Sequence, residues 1–370
     1  MIWKSVPLSD VVKVRRGHDL PTRVRRPGRI PVVSSGGVSG YHDTAIAEGP
    51  GVVLGRATNL GQPTWVEGPY WPHNTTLYVE DFCGNDPRWV YWWFETNDLS
   101  GFNSGSVQPM LNRNYIAKVP VTLPPLKEQE RIAGVLGAFD DLIETNRGLV
   151  ERLDRAASTR ADHLSKDVGG NRRTFADVAD IGGGGTPSTK ADHYWGGDHP
   201  WATPKDITAL PSRFIFDTPR KLTDAGLAKC SSPLWPVGSI LMTSRATVGE
   251  FALAQVPIAV NQGFIVVKGE SPADTTWLYF EMRRRTSEFK TIAAKGSTFP
   301  EISRREFKSL AVHWPQLEAR EQLHREIAPL LAGGAELERE VASLTAQRDV
   351  LLPLLMSGKV RVRDVEAEVS

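Results

Sequence analysis

Cys83 and Cys230 are the only cysteines in 370 residues, which excludes a disulfide framework and a four-cysteine zinc site and fits a reducing compartment. The eight histidines show no His-x-x-x-His or His/Cys pairing, so no metal is implied. No apolar run approaches the roughly 18 residues that span a bilayer. The opening MIWKSVPLSD lacks the basic, apolar and small-residue regions of a signal peptide. A cytoplasmic chain away from membranes is therefore expected.

Catalytic signatures are missing as well. There is no Asn/Asp-Pro-Pro-aromatic motif to position a base amine for methyl transfer, and no glycine motif for a methyl donor after an opening strand. The run Gly182-Gly-Gly-Gly185-Thr186 fails the phosphate-binding Gly-x-x-x-x-Gly-Lys-Ser/Thr pattern, because Thr189-Lys190 arrives in the wrong order and place. Spacing alone leaves room for a nuclease site of scattered carboxylates, but nothing favours one. The expectation is a chain with no catalytic residue, metal or cofactor of its own.

What the sequence does contain is one plan written twice. Pro7-Leu-Ser-Asp10-Val-Val corresponds to Thr174-Phe-Ala-Asp177-Val-Ala, leading to Gly17 and Gly184. Val53-Leu-Gly-Arg56-Ala-Thr58 then matches Leu241-Met-Thr-Ser-Arg245-Ala-Thr247, and Asn74 matches Asn261. The tryptophan segments around Trp89 and Trp277 follow, then Gly105-Ser106 and Gly296-Ser297, then the prolines of Leu123-Pro-Pro125 and His313-Trp-Pro315. An ordered series of matches at a slowly drifting offset is the mark of an internal repeat. Runs such as Gly51-Val-Val-Leu, Leu77-Tyr-Val, Gly238-Ser-Ile-Leu-Met and Phe264-Ile-Val-Val read as strands, and the tryptophan segments read as helices. Each unit is thus an α+β, β-rich globular domain.

A long helix follows each domain. The first carries Ile132, Val135, Phe139, Leu142, Asn146, Leu149, Leu153 and Ala156 at 3-4 spacing; the second carries Leu323, Ile327, Leu330, Gly334, Leu337, Val341, Leu344, Arg348, Leu351 and Leu355. That spacing predicts two seams that bury each other as an antiparallel intramolecular coiled coil, with Asn146 fixing register. About 30 paired residues would give a rod of about 45 Å. The alternative is that each helix packs on its own domain, and Pro329 favours a kink in the second. Charge follows the same division: the domains carry an excess of Lys and Arg, the helices an excess of Asp and Glu.

These motifs resemble the specificity subunits of type I restriction-modification systems. The likeness rests on Leu123-Pro-Pro-Leu-Lys-Glu-Gln-Glu-Arg-Ile-Ala133 opening the first helix and on Leu351-Leu-Pro-Leu-Leu-Met-Ser-Gly-Lys-Val-Arg-Val362 at the end of the second. It rests also on Gly184-Gly-Thr-Pro187 with Tyr194-Trp-Gly-Gly, His199-Pro-Trp201 and Lys205-Asp206. The first unit lacks the Gly-Gly-Thr-Pro loop and carries Arg15-Arg-Gly-His-Asp-Leu-Pro-Thr-Arg23 instead. The resemblance implies target-recognition domains at 1–125 and 174–315, spacer helices at 126–166 and 316–357, a linker at 167–173 and a tail at 358–370. It implies reading of an asymmetric bipartite site in double-stranded DNA and recruitment of two methyltransferase subunits, with room for motor-nuclease subunits. S-adenosylmethionine, and ATP with Mg²⁺, belong to those partners. A stand-alone DNA-modifying enzyme and a coiled-coil scaffold that binds no DNA are the competing readings.

Reading DNA requires cations for phosphates and planar or amide groups for base edges. The candidates in the first unit are Arg15, Arg16, Arg23, Arg25 and Arg26 of a basic arm that Pro21 and Pro27 should hold extended, loop residues Ser34 and Ser35, Arg56 and Asn74. In the second they are Lys190, Thr203, Lys205, Arg245, Asn261, Gln262 and Lys295. Arg56 and Arg245 are open to a structural reading as partners of carboxylates, and the asparagines to one as turn-forming groups. The arm and the Arg283-Arg-Arg285 run with Lys290 are either phosphate contacts or solvated surface. Trp89, Trp92 and Trp93 are assigned to the core by their spacing.

Overall fold

The computed structural model describes residues 3–104, 109–166, 168–294 and 300–362. The chain divides into two compact units, Met1–Ile143 with Ser343–Ser370, and Glu144–Ala342.

In the first unit, strand Lys4–Pro7 pairs antiparallel with Pro120–Leu123, Val6 opposite Val121, which returns the chain to its starting edge. A four-stranded sheet runs in the order Lys13–Arg16, Thr76–Asp81, Gly51–Gly55, Pro63–Val66. Beside it, Ile30–Ser34 pairs with Gly37–His42 antiparallel and with Trp71–Pro72 parallel. Helix Pro87–Thr96 begins where Asp86 accepts the Trp89 N–H at 2.7 Å, with proline in the first turn. Such a cap supplies about 1 kcal/mol. The helix buries Trp89, Val90, Trp92, Trp93 and Phe94, and these join Val52, Leu54, Leu77 and Val79 of the sheet in one core.

The second unit repeats the plan. Gly170–Thr174 pairs with Ala311–Pro315, so residues 170–173, expected as linker, are strand. Its sheet has the order Ala179–Gly182, Phe264–Gly269, Ile240–Thr243, Phe251–Ala254, with a fifth strand, Phe214–Ile215, at the edge. Trp195–Ala202 pairs parallel with Ala259–Val260, the counterpart of the parallel pair in the first unit. Ser271 and Asp274 form a capping box for helix Pro272–Arg284, which buries Trp277, Leu278, Tyr279 and Phe280.

The long helices are Leu126–Ser165 and Leu317–Met356, the second unbroken through Pro329 and Gly333-Gly334. In each unit they lie side by side and antiparallel. Asp140 meets Arg348 at 2.9 Å in the first; in the second, Arg160 pairs with Glu326, and a Cβ on Gly333 would stand 3.6 Å from Leu153 Cδ1. They also pack on their domains: Ile132, Leu136, Leu352 and Leu355 belong to the core around Trp89, and Ala157, Ala161, Leu323 and Ile327 to the core around Trp277. The two expectations, mutual pairing and packing on the domain, are met together.

One half of the expected seam is corrected. Leu142 and Leu149 are exposed, at 49% and 37%, and Ala156 is exposed, whereas Ile143, Val150 and Ala157 are buried. Ile132 and Asn146 are buried, and Phe139 and Leu153 partly so. The first helix carries two apolar stripes one residue apart, and a helix that must face both a domain and a second helix needs a wide stripe. The second helix keeps its expected register: Leu323, Ile327 and Val341 are buried and Leu337 and Leu344 half-buried. Asn146 sits at the seam with its Nδ2 lacking a hydrogen-bond partner among the described residues. The expected tail is also corrected at its start, since Val362 is 2% exposed in the first unit's core and Arg361 lies 4.9 Å over the Trp3 ring.

Candidate nucleic-acid interface

In the first unit, three chain segments converge on an open cleft of about 620 Å³ lined by Arg15, Arg16, Gly17, His18, Asp19, Asn74 and Arg113. The strand Lys13–Arg16 brings Arg15 and Arg16 and leads into Gly17, the strand Trp71–Pro72 leads to His73 and Asn74, and the short helix Arg113–Ile116 brings Arg113. Arg56, at the end of Gly51–Gly55, is not part of the lining but lies near Arg16. Gly17 is required here, because a Cβ would collide with the carbonyls of Pro72 and His73. Ser35 ties the segments together. Its buried hydroxyl donates to the Thr75 carbonyl and accepts the Arg56 N–H at 3.3 Å. Ser35 is therefore a buried strut, and the Ser34 hydroxyl likewise closes its own hairpin onto Gly37 O at 3.1 Å.

The arm separates into neutralised and unneutralised arginines. Arg15 pairs with Glu80 at 2.6 Å. Arg26 grips Asp43 through Nε and a terminal nitrogen at 2.6 and 3.0 Å, and this hydrogen bonding is the main reason the Asp43 carboxyl falls to about 2. Arg25 donates to Ser39 O at 3.0 Å. Nor is the arm a plain extended loop: Lys13–Arg16 is strand and Thr22–Val24 a turn of 3₁₀ helix. Among the described residues Arg16, Arg23, Arg56 and Arg113 have no side-chain partner. Burial pushes the Arg56 guanidinium below its ordinary value, and the nearby charge of Arg16 pushes it further. Arg16, Arg23 and Arg113 are exposed and Arg56 half-buried, and a partly desolvated cation such as Arg56 is stabilised by an arriving anion. Asn74 donates to Asp19 at 2.7 Å, so its amide is engaged at the cleft wall. His73 is held below its ordinary value by burial first and then by Arg25.

The second unit has the same frame with different chemistry. Arg245 donates to Glu301 at 2.8 Å, unlike Arg56. Asn261 accepts the Gly263 N–H at 2.8 Å, forming its own turn, and Gln262 accepts the Thr186 hydroxyl at 2.8 Å. Thr203 is corrected from a reading loop to a helix cap: its N–H and hydroxyl both donate to Asp206 at 2.7 and 2.8 Å, starting helix Pro204–Thr208. Lys190 and Lys205 remain exposed, without a side-chain partner among the described residues. The glycine loop is pinned from beneath, with Trp235 and Trp201 indoles donating to the carbonyls of Gly183 and Gly185 at 3.3 and 3.1 Å.

The Arg283-Arg-Arg285 run is internal bracing. Arg283 grips Asp154 of the first long helix at 2.7 and 2.9 Å. Arg284 reaches Glu281 and Asp162, and Arg285 binds Glu288 at 2.7 Å and the Ala311 carbonyl. Lys290 lies 3.8 Å from Glu250. Lys295 and the matched pairs Gly105-Ser106 and Gly296-Ser297 lie outside the described residues. Sequence reasoning passed over Arg113 and Arg304, which open the short helices Arg113–Ile116 and Arg304–Ser309 at corresponding places. Extending the repeat one step past the Gly-Ser pairs would have found them. Among the described residues no cluster of three His, Cys, Asp or Glu can hold a metal ion, and no helix is long and apolar enough to cross a membrane.

Two domains of one plan, each bearing exposed arginines and each packed on the long helices, define a two-domain repeat class of protein. The family described as the type I restriction modification DNA specificity domain matches residues 2–155 and again 170–339. The chain belongs to that family. It is 36% identical over 152 residues to the type I restriction enzyme MjaIX specificity subunit of Methanocaldococcus jannaschii, a match covering 41% of this chain and 35% of that subunit. It therefore spans about a third of that relative's length. Over 342 residues it is 24% identical to a type I restriction enzyme specificity subunit of Escherichia coli, covering 86% of this chain and 81% of the relative. The fold matches the crystal structure of a type I restriction-modification S subunit from M. genitalium with a TM-score of 0.69 at 15% identity, covering 95% and 96% of the two chains.

Proposed function

We propose that the chain is the DNA-recognition subunit of a type I restriction-modification complex, each unit reading one half of an asymmetric bipartite duplex target. The observation that carries this reading is the cleft of the first unit, where Arg16 and Arg113 have no ion-pair partner among the described residues, Asp19 is engaged by Asn74, and Arg56 lies near Arg16. The family supplies its context. Phosphates neutralise such cations, and a guanidinium can take guanine O6 and N7 together. Asymmetry of the target follows from Arg56 being free where Arg245 is paired.

Catalysis is assigned to partners: two methyltransferase subunits that use S-adenosylmethionine, with motor-nuclease subunits using ATP and Mg²⁺ joining them in the cytoplasm. The half-exposed stripe of the first helix, Leu142 and Leu149, supports a protein partner there. Mapping methylated adenines across the genome of a host with and without this chain tests the reading. The expected result is a bipartite, non-palindromic motif that disappears with the chain. Methylation that persists unchanged overturns it, as does turnover of DNA by the purified chain alone with methyl donor or Mg²⁺.

A further inference from the structure

Both units place one exposed arginine directly behind a helix cap. Arg113 follows Asn112, whose side chain accepts the Asn114 N–H at 2.9 Å; Arg304 follows Ser303, which accepts the Glu306 N–H at 3.1 Å. Each short helix leads into the strand that closes its unit, Pro120–Leu123 or Ala311–Pro315. Each arginine also reaches the glycine turn that opens its unit. Arg113 lines the cleft with Arg16 and Gly17. Arg304 lies against Gly183, where a Cβ would stand 3.2 Å from its Cδ and 3.4 Å from its Cζ. The turns themselves are built alike, since side chains on Gly17 and Gly184 would strike the carbonyls of His73 and Val260. Neither arginine has a side-chain partner among the described residues.

Around this shared feature the two surfaces differ. Arg16 stands where the second unit has Gly183, Arg56 is free where Arg245 is paired, and Asn74 holds Asp19 where Asn261 holds its own turn. What a duplex presents alike at both half-sites, whatever their sequence, is its phosphate backbone.

We infer that Arg113 and Arg304 are sequence-independent phosphate anchors, one per unit, that set each domain on the duplex while the differing residues around them read bases. The inference rests on the proposed DNA reading and adds a division of labour within it.

The test uses the complex with its methyltransferase subunits and labelled duplexes, one carrying the mapped target and one with scrambled half-sites, over a salt series. R113A and R304A should each weaken both duplexes roughly tenfold or more and lower the slope of log affinity against log salt by about one. R113K and R304K should recover most of the loss, because an ammonium serves a phosphate as a point charge but cannot replace a bidentate contact to guanine. Loss confined to the target duplex, or no rescue by lysine, overturns the anchor role in favour of base contact. So does unchanged binding by the alanine variants; if R16A and R56A still weaken binding, the DNA reading survives that failure. A complex that binds neither duplex overturns both. Melting temperatures matched to the parent protein exclude unfolding, and R113Q and R304Q replace any alanine variant that melts early.

Discussion

Arg245 Nε lies 2.8 Å from Glu301 Oε1, while Arg56, in the same place of the first unit, has no side-chain partner among the described residues and is depressed by burial and by Arg16. A free guanidinium can give both its edges to a base; a paired one must first leave its carboxylate. R56A should therefore weaken binding of the first half-site by about 1–3 kcal/mol, and R245A should weaken the second by less. E301Q should release Arg245 and tighten the second half-site. Competition binding with duplexes altered in one half at a time measures all three, and a larger loss from R245A than from R56A would count against this assignment.

Ser35 has a structural consequence of its own. S35A removes the hydroxyl that bonds the Thr75 carbonyl and the Arg56 N–H, while those two groups keep their direct bond at 2.9 Å, so the first unit should lose about 0.5–1.5 kcal/mol. Denaturant unfolding checks the value. DNA affinity should fall at the first half-site, because the strut sets the position of Arg56.

Arg283 and Asp154 form a two-bond pair with both side chains mostly covered, at 18% and 27% exposure. R283M should cost about 1.5–3 kcal/mol of stability in the second unit while leaving the salt dependence of DNA binding unchanged. A reduced salt slope in a fully folded R283M protein would restore the arginine run as a phosphate contact.

His73 fixes a pH dependence. Burial holds its folded pKa below the ordinary 6.5, so between those two values the unfolded chain binds a proton that the folded chain refuses. This contribution to stability is complete above the unfolded value and is lost as pH falls from about 6.5 through the depressed folded value. Urea midpoints measured across that window should decline with falling pH, and H73Q should flatten the decline.

Leu142 and Leu149 offer the reverse of a core experiment. L142K and L149K should change stability by less than about 0.5 kcal/mol but block assembly with the methyltransferase subunits, seen by size-exclusion chromatography. I143K and V150K should instead unfold the helix pairing, since those side chains are 3% and 7% exposed. Assembly unaffected by the leucine changes would place the partner elsewhere.

Much of this was legible in the sequence because its causes are local or periodic. The tryptophan helices behind Asp86 and Ser271 and the β-branched strands are set by neighbours a few residues away. The doubled order of elements follows from them. The seam of the second helix was legible for the same reason. That of the first was not, because Leu142 and Ile143, like Leu149 and Val150, are equally apolar neighbours, and only what packs against the helix chooses between them.

The candidate site divides along the same line. The sequence by itself determined that each unit would bring an arginine, Arg56 or Arg245, to the end of a strand, and that an arginine-rich arm would lie in the first unit alone. Which cations stay free was decided by the tertiary structure. Glu80 neutralises Arg15, Glu301 holds Arg245 and Asp154 takes Arg283, and each of these carboxylates is supplied by a distant part of the chain. A charge left over after folding depends on every acid the fold brings near it, and no local pattern of residues records that sum.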